Sequence, residues 1–232
     1  MRGTATAFTL VEVLVTISVI GILAALLVPV LASARGKARA IVCTGNLRQW
    51  GIALLMYTNQ NDGAIPRRGQ GVNPLRVIDR SEDWFNCLPP YFDIPPYRKL
   101  VKQGKPPKAG DKSPFICPEA TNSSSEPYFM PYAMNMYLSP WIRPEPHNIM
   151  EIPLPTCVVF MADAPGPYSA TLPSRQPYSV TARHSGNANI LFLDGHVQSF
   201  SGDYLGCGTG DPHRDDVRWE TGTSGVNQPP LQ

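Results

Sequence analysis

Residues 8–27 read FTLVEVLVTISVIGILAALL, and how this stretch is read decides the rest of the chain. No charged residue occurs from Val13 to Ala34. At ~1.5 Å rise per residue that run makes a helix of about 33 Å, long enough to cross the hydrocarbon core of a bilayer. A secretory signal peptide competes with this reading, since Ala32-Ser33-Ala34 has the small-residue character of a cleavage site. Its apolar region, however, should be only about 7–15 residues long. A buried core helix is rarely apolar on every face for so long. Glu12 stands out against both. A carboxylate in a membrane segment costs about 2.5–3.5 kcal/mol at the helix centre and less near its end, so it either meets a partner or reaches back to the interface.

The residues in front of it give the context. A short polar leader, MRGTATA, carries one Arg and ends in a small residue, followed by Phe8, Thr9, Leu10, Val11 and Glu12. This order resembles the N-terminus of type IV pilins and of the pseudopilins of type II secretion. The resemblance implies a prepilin peptidase that cuts between Ala7 and Phe8, followed by N-methylation of Phe8. It further implies a single-pass inner-membrane protein with its head in the periplasm or outside the cell. Its helix would assemble with other pilin or pseudopilin subunits into a filament. One departure is Ala7, where the family has Gly. Glu12 falls on the family's acidic position, four residues after the new amine. In a bundle of staggered helices the amine of one subunit would meet the Glu12 carboxylate of the next, a pairing that is strong in low dielectric and fixes register. Arg35, Lys37 and Arg39 oppose this orientation, because the positive-inside rule alone would place the large domain in the cytoplasm. The leader and Glu12 are given more weight.

Beyond the apolar run the helical pattern continues. Cys43, Leu47, Trp50, Leu54 and Tyr57 recur at spacings of four and three, an apolar stripe read as core. Asn61-Asp62-Gly63, with Pro66 beyond, marks the helix end. One nearly continuous helix of ~80 Å is expected, with kinks at Pro29 and Gly36. The expected division is leader 1–7, membrane and assembly helix 8–34, amphipathic continuation 35–62, globular head 63–206 and exposed tail 207–232. The stretch Cys43-Thr44-Gly45-Asn46-Leu47-Arg48-Gln49 and the later Cys117-Pro118 also resemble a subset of pilin-like proteins abundant in planctomycetes. That likeness makes Cys43–Cys117 the first disulfide to test.

Composition bounds the remainder. The net charge of +2 argues against nucleic acid as the main partner, which needs a basic stripe. Of 25 prolines, 21 lie between Pro66 and Pro177, so the head is loop-rich rather than helical. None of the five cysteines forms a CxxC pair, which removes the zinc-ribbon reading. Short elements are expected at Ser81–Leu88 (helix) and Cys157–Ala162 (strand). Asn189–Leu193 and His196–Phe200 read as a hairpin closed by Asp194-Gly195 in a type I′ turn. His184, nine residues and then Asp194-Gly195 match the C-terminal motif of the same pilin-like subset. His184, Asp194 and His196, joined by Asp163, have types suited to a transition metal. The alternative is that His184 hydrogen-bonds the hairpin and Asp194 serves only the turn. Calcium is a separate candidate through Asp211–Asp216, which lacks an EF-hand pattern. No nucleophile elbow and no P-loop occur, and no cofactor is expected.

The expected fold is α+β, a long N-terminal helix packed on a small antiparallel sheet in a Pro-rich head. The expected function is that of a non-enzymatic pilin-like subunit. Its rivals are a membrane-anchored metal-dependent hydrolase using His184, Asp194 and His196, and a secreted surface binding module cut after Ala34.

Overall fold

The computed structural model describes residues 9–69, 77–122, 126–139, 148–173, 178–210 and 212–222. It comprises two compact units, Met1–Ala38 and Arg39–Gln232. Helix α1, Leu10–Gln60, contributes to both and runs unbroken through Pro29.

In the first unit, α1 is solvent-exposed at every described apolar position, and it is long and apolar enough to cross a membrane. Two hydroxyls within the apolar run are satisfied locally. The Thr16 hydroxyl donates to Val13 O at 2.8 Å and the Ser18 hydroxyl to Leu14 O at 2.7 Å, so neither group needs water.

In the second unit, the same helix changes character. Cys43, Leu47, Trp50 and Leu54 are fully buried, while Arg48 and Gln49 face solvent, as the spacing predicts. The helix stops where expected. Gly63 N–H reaches back to Thr58 O at 2.8 Å, with Asp62 and Gly63 at φ 50° and 82°. Short helices α2 (Trp84–Cys87) and α3 (Tyr97–Lys102) follow within loops. Trp50 is the hub of an aromatic cluster, edge-on to Trp84, Phe92 and Phe115 at 5.1, 4.8 and 5.2 Å.

Strands β1 (Met130–Asn135), β2 (Val159–Gly166), β3 (Ala170–Thr171), β4 (Asn187–Phe192) and β5 (Val197–Ser201) form one sheet in the order β3-β1-β2-β4-β5, and α4 (Gly202–Leu205) follows β5. The α+β architecture is the expected one. The sheet is mixed rather than purely antiparallel, because the two-residue strand β3 pairs parallel to β1. Both faces are covered. The α1 stripe joins a core with Tyr132, Met134, Phe160, Met161 and Leu191, while Val159, Ala162, Ile190 and Phe192 pack against Leu205, Val217 and Trp219.

That second layer corrects the expectation of an exposed tail over 207–232 around Val217 and Trp219; residues 211 and 223–232 lie outside the described residues. Val217 and Trp219 are buried, Val159 N–H donates to Arg218 O at 2.9 Å, and Asn135 Nδ2 donates to Trp219 O at 2.8 Å. Two apolar residues in a polar stretch were enough to close the far face of the sheet, a pattern too short to show periodicity.

The turn at Asp194-Gly195 is also corrected. Only Gly195 has positive φ, 90°, and Phe192 N–H pairs with His196 O across a three-residue loop. This is a type I turn with glycine at the left-handed position. The two-residue turn with both positions at positive φ lies earlier. Ser185 and Gly186, at 52° and 83°, are closed by reciprocal His184–Asn187 bonds of 2.9 and 3.0 Å.

Candidate functional site

Four segments of the head bring one chemical cluster together. Cys43 comes from α1, Cys117 from the loop before β1, Asp163 from β2 and His184 from the closing pair of the Ser185-Gly186 turn. Their ligand atoms all lie within 4.8 Å of one another, and all four residues are buried. Cys43 and Cys117 are joined as a disulfide with Cα atoms 5.2 Å apart. His184 Nε2 lies 3.6 Å from Cys117 Sγ and 3.3 Å from Asp163 Oδ2. Its other nitrogen, Nδ1, donates to Glu119 Oε2 at 2.6 Å, and Glu119 in turn meets Arg39 at 3.6 Å. Burial opposes protonation of His184, but the hydrogen bonds and charges of Asp163 and Glu119 outweigh it and raise the His184 pKa above its ordinary 6.5. Asp163 is fully buried. Its Oδ2 accepts from Asn189 N–H at 2.8 Å, whereas Oδ1 has no hydrogen-bond partner among the described residues. Tyr132 O–H donates to Cys43 Sγ at 3.1 Å.

Asp194 and His196 do not join this cluster. They bond each other, His196 Nδ1 to Asp194 Oδ1 at 2.6 Å, and the His196 ring stacks on Phe192 at 4.3 Å. The His184/Asp194/His196 ligand set is therefore corrected. His184 and Asp163 lie together, the other two groups within reach are the cysteines, and Asp194 serves its turn. Residues 120 or more apart had to meet for this, and no local pattern announces such a meeting. Glu119 and Tyr132 carried no sequence signal at all. The calcium candidate keeps no cluster among the described residues, and Asp211 lies outside them.

Gly195 has a separate duty. A Cβ on Gly51 of α1 would stand 2.9 Å from Gly195 O and 2.9 Å from Leu191 Cδ1, and a Cβ on Gly195 would stand 2.9 Å from Leu55 Cδ1. Two glycines thus let α1 and the β4–β5 turn meet backbone to backbone. Gly195 meets the helix directly at Gly51, while His184 lies beside Cys117, which the disulfide joins to Cys43 of the helix.

At the other end of α1, Ala7 and Phe8 lie outside the described residues. Glu12 is exposed, and its Oε2 accepts from Thr9 N–H at 2.8 Å and Thr9 O–H at 2.7 Å, while Glu12 N–H lies 3.3 Å from Thr9 Oγ1. This is a capping box. The pattern Thr9-x-x-Glu12 was visible in the sequence, and it answers locally why a carboxylate stands at the mouth of an apolar helix.

Comparison with known proteins gives one partial match. Over 68 residues the chain is 40% identical to "Type II secretion system core protein G" of Pseudomonas aeruginosa, covering 29% of this chain and 47% of that protein. The chain thus spans about half the length of the curated relative it matches. No family model and no solved structure matches. The chain also carries one described helix long and apolar enough to cross a membrane, leading into an α+β head.

Proposed function

We propose that the chain is a pseudopilin-like or pilin-like subunit, cut between Ala7 and Phe8 by a prepilin peptidase and N-methylated on Phe8. It would be held in the inner membrane by one span with the head in the periplasm or outside. From there it would enter a type II secretion-type or type IV pilus filament through α1. The observation that carries this is the division within α1. One unbroken helix is uncharged and exposed from Val13 to Ala34, then buries a single stripe in its own head from Cys43 onward. A helix built so needs apolar company that the described residues do not supply, and membrane lipid first, neighbouring helices second, would provide it. The partial identity to a secretion-system core protein supports the same reading. The role is structural. The hydrolase alternative is not favoured, because Asp194 and His196 pair with each other and leave His184 to the cysteine cluster.

Mass spectrometry of the mature chain tests this. A start at methylated Phe8 is expected. A start at Arg35 would mean ordinary signal-peptide removal and would end the filament reading.

A further inference from the structure

We propose that the dithiol form of the chain binds one divalent metal ion, zinc foremost, through Cys43 Sγ, Cys117 Sγ, His184 Nε2 and Asp163 Oδ2. Two thiolates, one imidazole and one carboxylate form a donor set suited to four-coordinate zinc. Ligands about 2.0–2.3 Å from a tetrahedral ion stand roughly 3.3–3.8 Å from one another. The observed separations of His184 Nε2 from Asp163 Oδ2 and Cys117 Sγ, 3.3 and 3.6 Å, already have this size.

The surroundings are those of ligands held for a metal. His184 offers Nε2 because its Nδ1–H is tied to Glu119, the carboxylate–histidine arrangement that fixes a ligating imidazole. Tyr132 O–H points at Cys43 Sγ and Asn189 N–H at Asp163 Oδ2, donors that steady a thiolate and a carboxylate. Asp163 is fully buried, and its Oδ2 faces His184 Nε2 at 3.3 Å. A buried carboxylate is costly unless a positive group shares its site, a place His184 fills in the disulfide form and the metal would fill in the dithiol form. All four ligands come from the protein and are buried, so the site is closed and structural, with no open position for a substrate. The bound ion would join α1, the loop at Cys117, β2 and the Ser185-Gly186 turn.

Metal and disulfide are alternative fastenings of one sulfur pair. A dithiol reductant cleaves the Cys43–Cys117 bond, delivering two electrons and two protons and becoming a disulfide itself. The two thiols then release their protons to solvent as the metal binds.

The test uses the full chain in detergent, reduced with a dithiol, freed of reductant without oxygen and titrated with Co²⁺ and then Zn²⁺. The expected result is one ion per chain, with thiolate-to-cobalt charge transfer and the intense visible bands of a tetrahedral site, and no binding after reoxidation. The variant with Cys87, Cys157 and Cys207 all changed to Ser keeps these signals, whereas Cys117→Ser loses them. Glu119→Gln, which spares every ligand, weakens the affinity by about 10–100-fold. Near-ultraviolet circular dichroism of the buried tryptophans checks that each sample is folded. A folded, reduced wild-type chain that takes up no stoichiometric metal overturns the proposal, and so does undiminished charge transfer in Cys117→Ser or equal affinity of the oxidised chain. If Cys117→Ser does not fold, the wild-type titration and Glu119→Gln still decide. None of these outcomes bears on where the mature chain starts.

Discussion

The two halves of α1 share a helix and little else. From Val13 to Ala34 there is no charge and no burial; from Arg39 to Gln60 one stripe, Cys43, Leu47, Trp50 and Leu54, is locked into a core, while Arg48 and apolar side chains such as Ile41 and Ile52 stay exposed. The difference teaches what each half is adapted to. A helix apolar all round requires a solvent that is itself apolar, while a striped helix requires one specific partner surface. The first half should therefore tolerate any substitution that stays apolar, and the second should respond to single atoms.

Trp50→Ala is the strongest way to break this contrast. Removing the hub of the aromatic cluster should cost about 3–5 kcal/mol of head stability in denaturant titrations, while membrane association stays intact. The anchor half also has no titratable side chain from Val13 to Ala34, whereas the head buries Asp83 completely. Burial raises the Asp83 pKa from 3.8 to about 6. The folded state then holds the proton more tightly than the unfolded one, so this contribution is fully present below about pH 3.8 and is lost as pH rises through 6. A shift of that size corresponds to about 2–3 kcal/mol. Thermal melts between pH 4 and 7 should show Asp83→Asn with a flatter profile than wild type, and an unchanged profile would refute the assignment.

Gly51→Ala sharpens the contrast further. Its methyl group would meet the Gly195 backbone, which cannot yield as a flexible side chain would, and a loss of about 1–3 kcal/mol is expected. Gly21→Ala in the anchor half has open space around it and should leave head stability within about 0.5 kcal/mol of wild type.

The variants most discriminating for function are at Glu12. Glu12→Gln keeps the capping box but removes the charge, while Glu12→Ala removes both. If the carboxylate pairs with a neighbour's amine, both variants should fail in filament incorporation assays while remaining in the membrane. Normal incorporation of Glu12→Gln would reduce Glu12 to a cap.

What the sequence disclosed follows the range of the forces involved. The apolar run, the Cys43–Leu54 stripe and the Asn61-Asp62-Gly63 stop are local and were readable, because periodicity and turn chemistry act over a few residues. Trp219 closing the sheet, Gly51 opposite Gly195, and Asp163 meeting Cys43 and Cys117 are encounters across long stretches of chain. Nothing in the neighbouring residues encodes them. The Asp194-Gly195 turn shows a subtler limit, since the dipeptide was right for a tight turn but the register chose a three-residue loop.

Both Thr9 bonds fall on a single oxygen of Glu12, Oε2. Neither Thr9 nor Glu12 belongs to the leader, so trimming before Phe8 would leave these bonds in place. Helix closure and subunit pairing are then not rivals for one acceptor: Oε2 can finish the chain's own first turn while Oε1 is offered outward to a neighbour.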